Sequence, residues 1–503
     1  MTEFLVANMA PLMFVALVMF LLSGYPVAFA LAANGLAFGL IGIALGLLQP
    51  QLMQALPERI FGIMRNDTLL AIPFFTFMGL ILERSGMAED LLDTIGQLFG
   101  PMRGGLAYAV IFVGALLAAT TGVVAASVIS MGLISLPIML RYGYDRRIAS
   151  GVIAASGTLA QIIPPSLVLI VMADQLSRSV DDMYRGAMGP GLVLTGLYAG
   201  FILLVSLVRP DAVPALPPEA RTLHGRALAR RVVVSLVPPL VLIFLVLGTI
   251  FIGVASPTEG GAMGATGALI LALLQRKLSL DLLKQAMNVT AKLSSFVVFI
   301  LIGSTVFGLV FRAVNGDLWV EHLLTALPGG QLGFLIVVNI LVFVLAFFLD
   351  FFELAFIVVP LLGPVADKLG IDLIWFGVLL AVNMQTSFMH PPFGFALFFL
   401  RSVAPKADYD DKLTGRRIKA VATSDIYWGA VPFVCLQIVM VALVIAFPGL
   451  VGDFSVKQHN LDNIQMNIEM PDYGGTEQLP PPGLGEDGAA TDLQRLLEEQ
   501  FRK

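Results

Sequence analysis

Two carboxylates lie in the middle of a long apolar stretch of this sequence, at residues 334–362. Asp350 and Glu353 are three positions apart, so they share one face if the segment is helical. A carboxylate deep in a membrane is costly, and such residues commonly mark an ion, proton or substrate site. The alternative is a helix end exposed at the membrane surface. His390 joins them as a candidate, because it is the only one of four histidines inside a predicted membrane segment.

A second apolar stretch, residues 106–140, contains small and hydroxyl-bearing residues at its centre. They are Thr120, Thr121, Gly122 and Ser127. These polar groups make the centre of the stretch a candidate binding site, whereas the alternative role of small residues is to let two helices pack closely. Each interrupted stretch is long enough for two helices, so it forms either two full spans or one re-entrant hairpin.

Each half of the chain also has a Pro-Pro pair inside an apolar segment, beginning at Pro164 and at Pro391. Proline removes a backbone donor and clashes with the preceding turn, so two in succession break a helix. The freed carbonyl groups cannot face lipid, and a cation or a polar cavity is a suitable partner for them. The half-helices that follow begin at Ser166 and near Gly394, and their positive N-terminal ends favour an anionic group. The alternative is a proline kink satisfied by neighbouring helices.

The elements that must position these residues are membrane helices. Hydrophobic residues make up 57% of the 503 residues and charged residues only 13%, against about 25% charged in soluble proteins. This composition excludes a soluble enzyme. Ten apolar runs of spanning length are predicted besides the two interrupted stretches, so the fold class is an all-α polytopic membrane protein. The single cysteine excludes an internal disulfide.

Basic residues concentrate in four loops, which sets the predicted orientation. If each interrupted stretch enters and leaves on one side, all four loops fall on the same side. Lys and Arg in short loops prefer the cytoplasm, so both termini are expected in the periplasm. Residues 451–503 carry ten acidic and four basic residues with many Pro and Gly, and predict a flexible acidic tail outside the membrane. The basic loops are at residues 141–147, 209–231, 276–292 and 401–419.

The two halves of the chain share the same order of sequence features. GYPVAFALAANG corresponds to SPTEGGAMGATG, with Pro26 and Pro257 231 positions apart. GVIAASGTLAQIIPPS corresponds to GVLLAVNMQTSFMHPPF, with Pro164 and Pro391 227 positions apart. An odd number of crossings per half inverts the second half, so we predict an inverted-topology repeat, as in secondary transporters. The first repeat covers residues 1–208 and the second repeat covers residues 232–450. A cytoplasmic linker, residues 209–231, joins them.

These segments resemble the large membrane subunit of TRAP transporters (tripartite ATP-independent periplasmic transporters, the DctM-like family). The motifs GYPVAFAL, SPTEGGAMGA, GTLAQIIPPS, VNMQTSFMHPPFG and DIYWGAVPF carry the resemblance. It implies an elevator-type fold in which an inverted repeat supplies two re-entrant helical hairpins and two broken helices around a mid-membrane site. The corresponding segments are scaffold helices at about 1–83, a first hairpin and broken helix at 88–174, a second hairpin at 333–367 and a second broken helix at 371–403.

The resemblance also implies sodium-coupled uptake of an organic acid across the bacterial inner membrane. A small four-helix membrane subunit, expected as a separate chain, and a periplasmic substrate-binding protein would work with this chain. Na+ would bind where the hairpin tips meet the broken helices, and the carboxylate substrate between the tips. Candidate sodium ligands are Gly122, Ser127, Ser156, Gly157, Pro164, Asn383 and Pro391. Candidate substrate-binding residues are Thr120, Thr121, Ser166, Asp350, Gln385 and His390.

Proton coupling is the nearest alternative mechanism, because Asp350, Glu353 and His390 could relay protons. An ion channel is less favoured, since the sequence contains no TVGYG-like filter. A membrane enzyme or an ATP-driven pump is disfavoured, because neither an HExxH motif nor a GxxxxGK[ST] loop is present.

Overall fold

The computed structural model describes residues 2–411 and 414–452. Residues Met1–Ser455 form one compact unit. The predicted acidic tail, from residue 453 onward, lies outside the described residues. Helices dominate the described part, where a single two-stranded antiparallel ladder, β1 (Tyr409–Asp410) with β2 (Arg417–Ile418), is the exception.

The first half of the chain contains eleven helices in its described residues. They are α1 (Thr2–Ala7), α2 (Met9–Leu22), α3 (Val27–Ala44), α4 (Leu56–Met64), α5 (Ala71–Arg84), α6 (Met87–Phe99), α7 (Gly105–Thr121), α8 (Val124–Arg141), α9 (Arg146–Thr158), α10 (Leu167–Gln175) and α11 (Val180–Val208).

The second half contains ten helices in its described residues. They are α12 (Gly225–Phe251), α13 (Pro257–Leu274), α14 (Leu280–Ala313), α15 (Gly316–Thr325), α16 (Gly330–Leu345), α17 (Phe351–Ile357), α18 (Val359–Lys368), α19 (Leu373–Met384), α20 (Phe395–Val403) and α21 (Thr423–Ala446).

Six of these helices are long and apolar enough to cross a membrane, and the bent pair α15–α16 brings the number to seven. The predicted class of helical polytopic membrane protein is therefore confirmed. Five of the ten predicted runs correspond to single spans. The runs at 148–172 and 371–400 are each divided near a Pro-Pro pair, and those at 5–22 and 68–82 form helices of only 14 residues, α2 and α5. The run at 259–274 forms α13, which is not among the six spans. Shorter apolar helices supply further membrane-compatible segments, at Met9–Leu21, Gly105–Ala119 and Leu373–Phe388.

The helices of the two halves match in order and length at a nearly constant spacing. α3 and α13 each have 18 residues and begin 230 positions apart, and α10 and α20 each have nine residues and begin 228 apart. α9 and α19 begin 227 positions apart behind equivalent caps. Asp145 accepts hydrogen bonds from the backbone of Arg147 and Ile148, and Asp372 accepts the same pair from Ile374 and Trp375. Such caps satisfy free N–H groups at a helix start.

The outer helices pack reciprocally between the halves. α3 contacts α14, and the matching helix α13 contacts α5. Glycine lets α3 and α14 approach backbone to backbone: a Cβ atom added at Gly303 would lie 2.3 Å from the carbonyl oxygen of Ala28. This is the small-residue packing typical of membrane helices.

Candidate functional site

The first broken helix is interrupted between α9 and α10. A short 3₁₀ turn, Leu159–Gln161, follows α9, and α10 begins only after Pro164 and Pro165. The Ser166 hydroxyl caps α10, accepting from the Leu169 N–H at 3.4 Å and donating to the Gln161 carbonyl at 2.5 Å. Within the described residues, no hydrogen bond reaches the carbonyl of Ile162, Ile163 or Pro164. These buried carbonyls are oxygen groups in need of a partner.

The second broken helix repeats this arrangement between α19 and α20. A 3₁₀ turn, Gln385–Phe388, follows α19, and the half-buried Pro391 separates it from α20. No hydrogen bond from the described part of the chain reaches the carbonyls of Ser387 and Met389. The hydroxyl of Ser387 is also buried without a partner there. Sequence reasoning predicts a freed carbonyl group at Ser387, but it did not select the Ser387 hydroxyl as a ligand.

The turn between α7 and α8, which is the predicted tip of the first hairpin, lies against the first break. α7 ends with Thr120 and Thr121, whose side chains lie outside the described residues. Gly122 then adopts a left-handed conformation, φ +58°. A Cβ atom there would lie 3.3 Å from the carbonyl oxygen of Pro165 and 3.3 Å from Cγ of Leu167. Glycine is therefore favoured at this tip by both its φ angle and the close break.

Three other predicted sodium ligands lie on the packed face between this hairpin and α9. Ser127 is buried one turn into α8. A Cβ at Gly157 would lie 2.3 Å from Cγ2 of Val128, so α9 and α8 are in close contact. Ser156 is fully buried, and its hydroxyl has no hydrogen-bond partner among the described residues. The α7–α8 turn, α8, α9 and the first break thus lie together, and with them the predicted residues Gly122, Ser156 and Gly157.

Asp350 and Glu353 lie at the start of α17, after the interruption between α16 and α17 that is the predicted tip of the second hairpin. The Asp350 carboxylate accepts from the Glu353 N–H, and the Glu353 carboxylate accepts from the Asp350 N–H, each at 2.8 Å. This reciprocal pair is a capping box, which satisfies free N–H groups at a helix start. Both carboxylates therefore have a structural role, in addition to any contact that they make with a ligand.

The second tip also meets the second break, through His390. The His390 ring is buried and stacks on Phe347, with 4.1 Å between ring centroids, and meets Phe343 edge to face at 4.4 Å. A cavity of about 310 Å³ lies beside this contact, lined by residues of the tip together with Ser387 and Phe393. The aromatic stacking was not predictable from the sequence, because it joins residues more than 40 positions apart in the chain.

The two broken helices contact each other through equivalent residues. The Gln385 side-chain N–H donates to the Thr158 hydroxyl at 3.1 Å, and the two residues are 227 positions apart. Gln437 of α21 donates to the Tyr198 hydroxyl of α11 at 2.9 Å and lies 3.5 Å from the Thr158 hydroxyl. All four side chains are fully buried. We call Thr158, Tyr198, Gln385 and Gln437 the central polar cluster.

Only Gln385 of this cluster was predicted from the sequence. Thr158 and Gln385 are 227 positions apart, as are Pro164 and Pro391, so this spacing was a signal that could have identified Thr158. Gln437 is an isolated polar residue in the last apolar helix, which was a second signal.

Asn383 binds the second broken helix to α16. Its side-chain N–H group donates to the carbonyl oxygen of Asn339 at 2.8 Å and to the Asn339 side-chain oxygen at 2.9 Å. Both asparagines are buried. The hydrogen bonds fix the Asn383 amide, and they leave its side-chain oxygen as the remaining polar atom. Asn339 is a further polar residue that the sequence did not single out.

The model of the family described as "Tripartite ATP-independent periplasmic transporter, DctM component" matches residues 14–450. The chain belongs to this family. Among DctM relatives, the C4-dicarboxylate TRAP transporter large permease protein DctM of Pseudomonas aeruginosa is 30% identical, over 83% of this chain and 94% of its own length. The 2,3-diketo-L-gulonate TRAP transporter large permease protein YiaN of Escherichia coli is 26% identical, over 78% of this chain and 89% of its own.

A solved structure, the Alcanivorax borkumensis YdaH transporter, has a similar fold. The two structures align with a TM-score of 0.57 and 16% sequence identity. The alignment covers 81% of this chain and 91% of the YdaH chain. The predicted resemblance to the DctM family is confirmed by the family match, and so is the prediction of a transporter permease rather than an enzyme.

Proposed function

We propose that this DctM-family permease carries an organic carboxylate across the bacterial inner membrane, driven by sodium, through an elevator-type movement. Several relatives support a carboxylate, because their names specify C4-dicarboxylates, 2,3-diketo-L-gulonate and sialic acid, which all carry at least one carboxylate group. Another relative's name specifies isethionate, a sulfonate, so the feature common to all the named substrates is an organic acid anion. Two half-helix starts directed at the breaks are suited to such an anion.

The contact between Thr158 and Gln385 is the observation that carries this proposal. In an inverted repeat, the two halves are related by a pseudo-two-fold axis in the membrane plane. A residue close to that axis meets its own equivalent. Thr158 and Gln385 have the spacing of the two Pro-Pro pairs and are hydrogen-bonded. Substrate and ion sites of such carriers lie near the bilayer midplane at the repeat interface.

Sodium would bind at the junctions between tips and breaks. Unwound backbone carbonyls coordinate Na+ in transporters of this general design. The first junction offers the free carbonyls near Pro164 beside Gly122, with the Ser156 hydroxyl free nearby in α9. The second junction offers the carbonyls of Ser387 and Met389. Asn383 supplies an oriented side-chain oxygen two residues before the second 3₁₀ turn.

The elevator movement would carry the tips and breaks as one body. α9 packs on α7 and α8, and α20 packs on α8. In the second half, α17 packs on α10 and α16 packs on α19, so each predicted hairpin contacts a broken helix. The reciprocal pairs α3–α14 and α13–α5 would form the fixed scaffold. A small four-helix membrane subunit would extend this scaffold, and a periplasmic binding protein would deliver the substrate. Both termini would then lie in the periplasm.

Reconstitution tests this proposal. The chain, with a small subunit and a binding protein from the same system, is placed in proteoliposomes, and uptake of a C4-dicarboxylate, 2,3-diketo-L-gulonate and sialic acid is measured. Saturable uptake of one of them that requires an inward sodium gradient is expected. Uptake that a pH gradient drives in the absence of Na+ would show that transport is coupled to protons and not to sodium. Flux that does not saturate would overturn the carrier mechanism in favour of a channel.

A further inference from the structure

A groove of about 370 Å³ lies at one end of the helix bundle, away from the tips and breaks. It is formed where α9 and α21 begin and where α11 ends. We call it the α11 groove. Its position is distinctive, because the loops that meet at this end are three of the four basic loops of the sequence. Such loops mark the cytoplasmic edge of the bilayer.

The walls of the α11 groove are apolar. Phe201, Val205 and Val208 come from α11, and Phe433 lies beneath them, fully buried and edge to face with Phe201 at 5.2 Å between ring centroids. Trp428 stands at the side with 61% of its surface exposed. Exposed tryptophan is typical of the membrane–water interface. These walls match an acyl chain that enters from the bilayer.

The mouth of the groove has a net positive charge. Arg147 and Arg209 line it, together with Asp145. Asp145 already accepts hydrogen bonds from two backbone N–H groups as the α9 cap. Arg147 shares Asp425 with Arg146, at 3.4 Å and 3.9 Å. Arg209 forms no ion pair within the described residues, so its guanidinium is available to an external anion.

We propose that the α11 groove binds one anionic glycerophospholipid from the cytoplasmic leaflet. The phosphate would lie between Arg147 and Arg209, and an acyl chain would lie along α11 between Trp428 and Phe433. Basic pockets between membrane helices on the cytoplasmic side commonly bind anionic headgroups in this way. The lipid would contact both α11 and the start of α9, which is the first half of the first broken helix.

Lipid binding to the purified protein tests the proposal. Native mass spectrometry and thermal shift are recorded with phosphatidylglycerol, with phosphatidylcholine and with inorganic phosphate alone. One phosphatidylglycerol per chain is expected to bind more tightly than phosphatidylcholine. Because a basic residue contributes about 1 kcal/mol to binding an anionic surface, we expect Arg209→Gln to weaken binding about fivefold and Arg147→Gln/Arg209→Gln about 25-fold.

The matched control is Arg226→Gln/Arg230→Gln, which removes two exposed arginines at the start of α12, outside the groove. It should leave binding unchanged. Leu204→Trp narrows the groove but keeps its charges, and should weaken binding of the lipid. Should the double groove variant fail to fold, Arg209→Gln decides alone, because Arg209 has no described ion pair to lose.

Three results would overturn the proposal. Equal binding of phosphatidylglycerol and phosphatidylcholine would exclude recognition of the anionic headgroup. An equal loss in the control variant would show that the arginines act only through overall charge. Stabilisation by inorganic phosphate equal to that by the lipid would assign the site to a free anion.

Discussion

Replacing Asn383 with alanine should weaken sodium binding more than it weakens the fold. Asn383 is 2% exposed, and its amide is held by two hydrogen bonds to Asn339, at 2.8 Å and 2.9 Å. Its side-chain oxygen is thereby oriented, two residues before the helix unwinds at the second break. Alanine removes both this oxygen and the group that orients it.

The size of the effect follows from these contacts. An oxygen contact to a cation is comparable with a hydrogen bond to a charged group, which contributes about 1.5–3 kcal/mol. Since about 1.4 kcal/mol corresponds to a factor of ten, the half-saturating sodium concentration should rise about 10- to 150-fold. The structural loss is smaller, because hydrogen bonds between membrane helices contribute on average about 0.6 kcal/mol each.

The assay is the initial rate of substrate uptake into proteoliposomes at increasing external sodium, with a thermal melt of each variant. The matched control is Asn34→Ala. Asn34 is fully buried in α3, donates to the Met13 carbonyl at 3.0 Å, and also has a side-chain oxygen without a described partner. The control loses the same chemical groups outside the broken helices. Its melting temperature should fall, while its sodium dependence stays that of the original chain.

Two outcomes would refute this reasoning. If Asn383→Ala transports with unchanged sodium half-saturation, then Asn383 is not a sodium ligand. If Asn34→Ala shifts sodium dependence as much as Asn383→Ala does, then the effect reflects general destabilisation and not a missing ligand.

Three other perturbations have definite expected results. Gly122→Ala should slow uptake, because Gly122 has a left-handed φ and the added Cβ would lie 3.3 Å from the carbonyl oxygen of Pro165. Gly24 also has a left-handed φ, but a Cβ there would meet no atom within 4 Å, so Gly24→Ala should transport normally. Equal uptake rates in the two variants would contradict a close contact between the α7–α8 turn and the first break. Gln437→Leu should lower the melting temperature, because it removes hydrogen bonds of the central polar cluster that contribute about 0.6–1.7 kcal/mol each. An unchanged melting temperature would show that the cluster does not stabilise the bundle. A hydrogen bond from the Thr414 side chain, with Arg141 at 2.9 Å, lowers the pKa of Asp411 below 3.8. Asp411→Asn should therefore lower the melting temperature at pH 7, and this difference should vanish as the pH falls through the lowered pKa; a difference that persists at acidic pH would exclude the charged form as its source.

The elements that depend on local chemistry were predictable. Proline disfavours the interior of a helix, so the interruptions near Pro164 and Pro391 agree with the residue types there. A Pro-Pro pair does not dictate a break by itself, however, because Pro238 and Pro239 lie within the continuous helix α12. The capping box of Asp350 and Glu353 has a local signature too, an acidic residue followed three positions later by Glu. Sequence reasoning selected these two residues as membrane carboxylates, and the structure adds their role in starting α17.

Contacts between distant segments were not predictable. Gln437 and Thr158 are 279 positions apart, and Asn339 and Asn383 are 44 apart. No local rule specifies that these side chains meet, because their partners depend on which helices pack together. Two of the predicted single spans, at 148–172 and 371–400, were wrong for a related reason. Hydropathy alone does not distinguish one continuous helix from two half-helices of the same apolar composition.

The sequence by itself determined the membrane class, the family and the repeat spacing, because each depends on composition or on the order of features along the chain. The tertiary structure alone decided which polar atoms face one another in the membrane interior. A buried polar group needs a partner, and any hydroxyl or amide of suitable geometry can be that partner. Helix packing therefore made Thr158 the neighbour of Gln385, and Asn339 the neighbour of Asn383.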